Sequence, residues 1–156
     1  MSPPISPYTK DSLLALLTKW GIPHETITHP PLHTVEEAQA WRAGRQGGFC
    51  KNLFLKDKKG ARWLIVTLED RQIRLNSLPK ALGSARLSFA NADLMDRFLG
   101  VKPGSVTPFA VINDQACQVQ IVLDAPMLDH APLHYHPLTN EATTTISRED
   151  LLKFLR

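Results

Sequence analysis

Long apolar runs are missing from this 156-residue chain: none approaches the ~20 residues that span a bilayer, so an integral membrane protein is not expected. The start, Met1 to Pro7, lacks the basic n-region and the apolar stretch of a signal peptide. Cysteine is scarce. Cys50 and Cys117 stand alone in apolar surroundings and form no CxxC pair, which argues against a disulfide scaffold and for a reducing, cytoplasmic setting. GxxxxGK[ST] and GxGxxG are both absent, which removes the phosphate-binding and dinucleotide-binding loops of those kinds. No GxSxG elbow occurs. The carboxylates are scattered, and no acidic pair suggests a glycosidase or aspartic-protease site. Repeats, low-complexity tracts and linkers are absent too, so residues 1–156 read as one domain.

What is present is an ordinary globular composition, 43% hydrophobic and 21% charged, with enough chain to bury a core. The net charge of +3 is unevenly spread. Residues 42–86 hold eleven Lys/Arg against three Asp/Glu and carry +8, leaving −5 for the remainder. A basic half of this kind is the footprint of a polyanion partner, or simply a solvated surface.

Local patterns set the expected elements. Leu13, Leu14, Leu16, Leu17 and Trp20 follow helical spacing from about Thr9, and Gly21 and Pro23 stop the helix. His24–Thr28 reads as a short strand, and Thr34-Val35-Glu36-Glu37 as a capping box opening a helix through Trp41. A glycine-bearing loop, Gly44 to Gly48, leads into a strand from Phe49 to Leu55. That strand forms a hairpin with Arg62–Leu68 around Asp57-Lys58-Lys59-Gly60. Gln72–Leu75 is expected as a strand, Leu78–Leu82 as a helix, and Asn91 as the cap of a helix ending at Gly100. Phe109–Asn113 and Gln118–Asp124 are expected as two strands joined by a short turn. Ala142–Ile146 is a last strand before a helix capped by Ser147. Strands and short helices mix without βαβ alternation. The pattern predicts a compact α+β (mixed α/β) domain, with a curved, largely antiparallel mixed sheet surrounded by short helices.

Lys51 is the informative residue. Alternation places it on one face with Phe49, Leu53 and Leu55, an apolar set. An unpartnered ammonium there is costly, so the lysine either serves an anionic ligand or chemistry, or snorkels to water along its stem. His130, His134 and His136 put three imidazoles within seven residues, which raises a metal site. No carboxylate or cysteine stands at ligand spacing beside them, and Pro132 and Pro137 read as loop, so no metal is expected. His29 and His33 read as loop and packing histidines. In Gly104-Ser105-Val106-Thr107-Pro108-Phe109, glycine permits close backbone approach and proline stiffens the loop. Its N–H groups can cradle a carbonyl oxygen or an anion, although alone the pattern reads first as an ordinary turn.

Taken together, Cys50-Lys51-Asn52-Leu53-Phe54-Leu55, Gly104 to Phe109, His136-Pro137-Leu138-Thr139-Asn140 and the upstream His33-Thr34-Val35-Glu36-Glu37-Ala38 are similar in order and spacing to one family. They resemble the YbaK/prolyl-tRNA-synthetase-associated editing domains, and among these the freestanding ProXp-ala (PrdX) branch. The resemblance runs from Leu13 to Leu155. It implies a YbaK-like fold and metal-independent, cofactor-free hydrolysis of the ester of Ala-tRNA(Pro). Within the family, Cys-tRNA(Pro) or Ser/Thr esters are alternative targets, and a non-catalytic tRNA- or synthetase-binding module is another. The implied partner is the acceptor end of mischarged tRNA(Pro), with prolyl-tRNA synthetase as a second one. No membrane, DNA or oligomeric partner is implied. Carried over by position, Lys51, Gly104 and His136 are the catalytic candidates. Lys51 would hold a terminal phosphate or a developing oxyanion. Asn52, Ser105, Val106, Thr107, Pro108 and Asn140 would bind the aminoacyl group, and a ribose hydroxyl of the terminal adenosine would orient water. Arg71, Arg74, Lys80 and Arg86 are candidates for the acceptor stem.

Overall fold

The computed structural model describes residues 8–31, 35–42, 47–69, 71–114, 118–130 and 132–155. In chain order, helix α1 (Lys10–Lys19) is followed by strand β1 (Glu25–Thr28), α2 (Val35–Arg42), β2 (Gly48–Asp57) and β3 (Arg62–Leu68). Next come α3 (Leu78–Leu82), β4 (Leu87–Phe89) and α4 (Ala92–Leu94), which continues as a π-helical turn over Met95–Leu99. A 3₁₀ helix, Pro108–Asn113, precedes β5 (Val119–Leu123). A second 3₁₀ helix, Ala125–Asp129, then leads to β6 (Leu133–Tyr135), β7 (Ala142–Ile146) and α5 (Arg148–Phe154). No described helix is long and apolar enough to cross a membrane.

The strands form one open mixed sheet in the order β1-β7-β6-β2-β3-β5, with β4 also on β2. Pairing is antiparallel except for β2 with β6 and β3 with β5. The β2–β3 hairpin is the frame, with Cys50 opposite Leu68 and Lys56 opposite Arg62. Its turn is closed by Asp57, whose carboxylate accepts the N–H groups of Lys59 and Ala61, both at 2.9 Å, and of Ala85 at 3.4 Å. Burial pushes the Asp57 carboxyl up, but those N–H groups outweigh it and hold the group below its ordinary value.

Both faces of the hairpin are covered. On one, Leu64 and Val66 pack with Leu13 and Leu17 of α1 and with Phe109, Leu151 and Phe154. Beside them Phe54 lies under Phe98 and Leu99. On the other face Leu55, Trp63, Ile65 and Leu87 gather Leu75, Leu78 and Leu82. Thr9, Asn91 and Ser147 cap their helices through side-chain oxygens, as their positions before apolar runs predict.

Three expectations need correction. Phe109–Asn113 is a 3₁₀ helix rather than a strand: Pro108 starts it, and Thr107 Oγ1 accepts the Phe109 N–H at 3.4 Å. Gln72–Leu75 alternates in exposure but pairs with no described strand. The Arg74 carbonyl instead takes the N–H groups of Ser77 and Leu78, turning the chain into α3. The strand that does form there is β4, which adds to the far end of β2. Leu133–Tyr135, flanked by prolines and read as loop, is a fully buried strand. The Thr34 capping box and the 43–46 part of the glycine loop lie outside the described residues, as do Asp70 and Cys117.

Candidate active site

The site begins where two strands part. Strands β2 and β6 run parallel only at Gly48 with Leu133 and Phe49 with His134. Gly48 N–H donates to the Pro132 carbonyl at 2.8 Å. The approach is so close that a Cβ on Gly47, which sits at φ +114°, would overlap the same carbonyl oxygen. Past this point β6 continues beside β7 and β2 continues beside β3. β2 regains a neighbour on its open edge only at Leu55, opposite Phe89.

A cleft of ≈ 220 Å³ fills the gap. From β2 come Phe49, Cys50, Lys51 and Asn52, so both faces of the strand line it at the split. Glu69 follows β3, while His134, Tyr135, His136 and Thr143 face it from β6 and β7, and Trp41 of α2 covers it. Lys51 is half-buried at the mouth of this gap, opposite Thr67 on β3. Among the described residues its ammonium has no hydrogen bond or ion pair. The apolar face that the alternation predicts is real at Leu55, which is fully buried, but its cover ends before Lys51.

The imidazoles have assignable roles. His136 Nδ1 lies 2.9 Å from the Ala142 carbonyl oxygen, which can only accept, so Nδ1 carries the proton. Nε2 then keeps its lone pair. Burial lowers the His136 pKa from its ordinary 6.5; the Ala142 bond opposes this and nearby His29 adds to it. His136 is therefore neutral at pH 7. His29, on the far side, is saturated: Nδ1 is 2.9 Å from the Pro30 carbonyl and Nε2 is 2.8 Å from Thr143 Oγ1. Its ring stands 4.6 Å from Trp41 and 6.3 Å from His136. His134 stacks on Phe49 at 4.4 Å, and its Nδ1 lies 2.9 Å from Thr145 Oγ1.

Two further groups define the floor. Asn52 Oδ1 is buried and, among the described residues, has no partner, an orphaned acceptor that costs about 1–3 kcal/mol unless something donates to it. Burial pushes the Cys50 thiol up to about 11, so it is not a thiolate at neutral pH. The Tyr135 hydroxyl donates to Met127 Sδ at 3.2 Å, and burial raises its pKa as well.

Of the candidates from sequence, Lys51, Asn52 and His136 come together in the cleft. Gly104, at φ +88°, is exposed; a Cβ there would stand 3.6 Å from Asn140 Nδ2. The glycine loop therefore lies beside the far end of the turn that begins at His136. Leu138 in the same turn has φ +66°, a strained conformation for a bulky residue, held by packing into two core clusters. Ser105, Thr107 and Pro108 are buried and line no part of the cleft, while Val106 packs into the same two clusters as Leu138. Only the backbone and the Gly104 end of this loop remain available to a ligand. Arg71 is committed to Asp124 at 3.2 Å, whereas Arg74, Lys80 and Arg86 are exposed.

The sequence reading did not pick out Trp41, Phe49, Cys50, Glu69, His134, Tyr135 or Thr143 as site residues. Phe49 and Cys50 adjoin Lys51, but the others are brought in by strand pairing and by α2, for which no local pattern exists. Among the described residues no three His, Cys, Asp or Glu converge as metal ligands, and His130 is exposed.

The chain has known relatives. Residues 29–154 match the family model described as an aminoacyl-tRNA editing domain. The chain is 35% identical over 148 residues to the prolyl-tRNA editing protein ProX of Acetoanaerobium sticklandii, covering 94% of this chain and 90% of that one. It is 42% identical over 145 residues to prolyl-tRNA synthetase associated domain-containing protein 1 of Bos taurus, covering 90% and 84%. The crystal structure of a candidate trans-editing enzyme for prolyl tRNA synthetase superimposes with a TM-score of 0.74 at 18% identity. It covers 99% of this chain and 93% of the other, and at that identity it speaks for the fold. With a family match over most of its length and relatives this similar end to end, the chain belongs to the aminoacyl-tRNA editing domain family.

Proposed function

We propose that this protein is a trans-editing deacylase that cleaves the ester between a wrong amino acid, alanine foremost, and tRNA(Pro). The observation that carries the reading is one small cleft combining the Lys51 ammonium, the neutral His136 imidazole and the unpaired Asn52 amide oxygen. Similarity to the ProX editing protein supports the substrate class. At ≈ 220 Å³ the cleft is smaller than the ~300–1,000 Å³ of drug-sized pockets, which favours a small aminoacyl group. Such a sieve is needed because a pocket built for proline gains only about 1–3 kcal/mol against a ligand with fewer methylenes.

The chemistry follows from the groups present. Water adds to the ester carbonyl carbon, the carbonyl oxygen becomes an oxyanion, and the bond to the ribose oxygen breaks. The proton lost by water ends on that ribose oxygen, giving free amino acid and uncharged tRNA. Lys51 holds the oxyanion or the adjoining phosphate. His136 Nε2 accepts a hydrogen bond from the attacking water or from the neighbouring ribose hydroxyl. Asn52 Oδ1 accepts one from the substrate's α-ammonium. The exposed backbone at Gly104 closes on the aminoacyl end. Prolyl-tRNA synthetase, which makes the mischarged species, is the natural protein partner.

The test is a deacylation panel: tRNA(Pro) charged with alanine, cysteine, serine, threonine or proline, with and without a chelator. Alanine is expected to be released fastest, proline to survive, and the chelator to change nothing. Absence of release from every species would sink the enzyme reading, and preferential release of another amino acid would reassign the substrate.

A further inference from the structure

A second concave surface lies on the same face of the sheet as Lys51. It is an open groove of ≈ 640 Å³, lined by Leu75, Asn76 and Pro79 before and within α3 and by Arg86, Leu87, Ser88 and Phe89 at β4. Phe89 is 60% exposed and belongs to no core cluster, which is unusual for an aromatic on a strand. It sits opposite Leu55, and residues Leu55, Leu53 and Lys51 alternate onto one face. Four residues of strand and one strand spacing put Phe89 roughly 14 Å from Lys51.

The surroundings are basic. Residues 71–89 contain four bases and no acid. Among the described residues, Arg74, Lys80 and Arg86 have no carboxylate partner, and all three are exposed. An exposed ring in a groove walled by Leu75, Pro79 and Leu87 and by Arg86, with Arg74 and Lys80 one residue from its lining, suits stacked bases and phosphates. A protein partner would call for a wider apolar patch.

We infer that this groove holds the unpaired nucleotides preceding the esterified end of the RNA. A base stacks on Phe89, phosphates lie along Arg86, Arg74 and Lys80, and the strand then runs over Leu53 into the Lys51 cleft. The inference rests on the deacylase reading for the identity of the RNA. At ~3.4 Å per stacked nucleotide, about four nucleotides cover the distance between the groove and the cleft. The acceptor end would thus be gripped at two points on one face, with the ester presented by a stacked strand.

The experiment compares binding of an uncharged RNA hairpin with a four-nucleotide unpaired 3′ tail and of the same hairpin cut blunt. Phe89→Ala is expected to weaken tailed-hairpin binding about 5- to 100-fold, with Phe89→Tyr restoring it and the effect confined to the tail. Arg86→Ala is expected to reduce the salt slope by about one. The ratio of kcat/KM on charged tRNA(Pro) to that on the alanyl ester of adenosine should fall with Phe89→Ala by the same factor as the affinity. Unchanged tailed-hairpin binding, or equal loss on the blunt hairpin, overturns the inference and leaves the groove to a protein. If wild-type protein shows Phe89-dependent tail binding but hydrolyses no ester, the deacylase reading fails and the groove stands. Hydrolysis indifferent to Phe89 reverses that outcome.

Discussion

The two ends of strand β2 are made of similar sequence and do opposite work. From Leu55 to Asp57 the strand has neighbours on both edges, and Phe54 and Leu55 are fully buried, one against each face's core. From Cys50 to Asn52 one edge is open because β6 has left, and the same alternation delivers a half-buried ammonium and an orphaned amide oxygen to a cleft. Whether a strand residue packs or reacts is decided by its neighbours across the sheet. The end that lost a pairing partner gained a site.

The largest effect should separate the two ends by substitution. Phe54→Ala is expected to cost about 3–5 kcal/mol of stability in urea unfolding, because it empties a site closed by Phe98 and Leu99. Lys51→Ala, three residues earlier, is expected to leave stability within about 0.5 kcal/mol while lowering kcat/KM for ester release about 10²–10³-fold. A Lys51→Ala protein that unfolds early would mean that the lysine is structural and would erase the contrast.

A smaller effect should appear in the pH dependence. His136 titrates below 6.5, so its neutral form persists through the neutral range and is lost only as pH falls through the lowered value. The activity profile is expected to be flat above about 6.5 and to fall on the acid side, and His136→Gln should flatten that limb at reduced rate. Stability carries the same sign. The unfolded imidazole takes its proton first, so stability is full above 6.5, declines as pH drops toward the folded value and then levels. An acid limb that survives His136→Gln belongs to another group.

The smallest effect concerns Cys50. With its thiol held up to about 11 by burial, alkylation by iodoacetamide in the folded protein should be slow and show no inflection between pH 6 and 9. Rapid labelling at pH 7 would show that the floor of the cleft is open to water.

Much of the fold was legible locally. The Asp57–Gly60 turn and the caps at Thr9, Asn91 and Ser147 rest on interactions between near neighbours in sequence, and the Ala142–Ile146 strand shows in its β-branched run although its partner β1 is distant. The failures share a cause. Phe109–Asn113 and Gln72–Leu75 are apolar enough for strands, but a strand needs a partner, and none was placed beside them. Leu133–Tyr135 looked like a loop because of its prolines, yet it had partners on both sides.

The site divides in the same way. Lys51 stands out as an anomaly in its own segment, a charge on an apolar strand, and is visible in one dimension because it violates a local rule. Gly104 and His136 break no such rule, and only the resemblance of their motifs in order and spacing picks them out. Sequence alone thus determined which residues were out of place and which elements flanked them. Tertiary structure alone decided that β6 leaves β2 after Phe49, that Thr143 and Trp41 close the gap, and that Ser105 and Thr107 turn inward. The reason is physical. Capping and turns are contacts across three or four residues, whereas a cleft is made by segments more than eighty residues apart, whose register only the packed core sets.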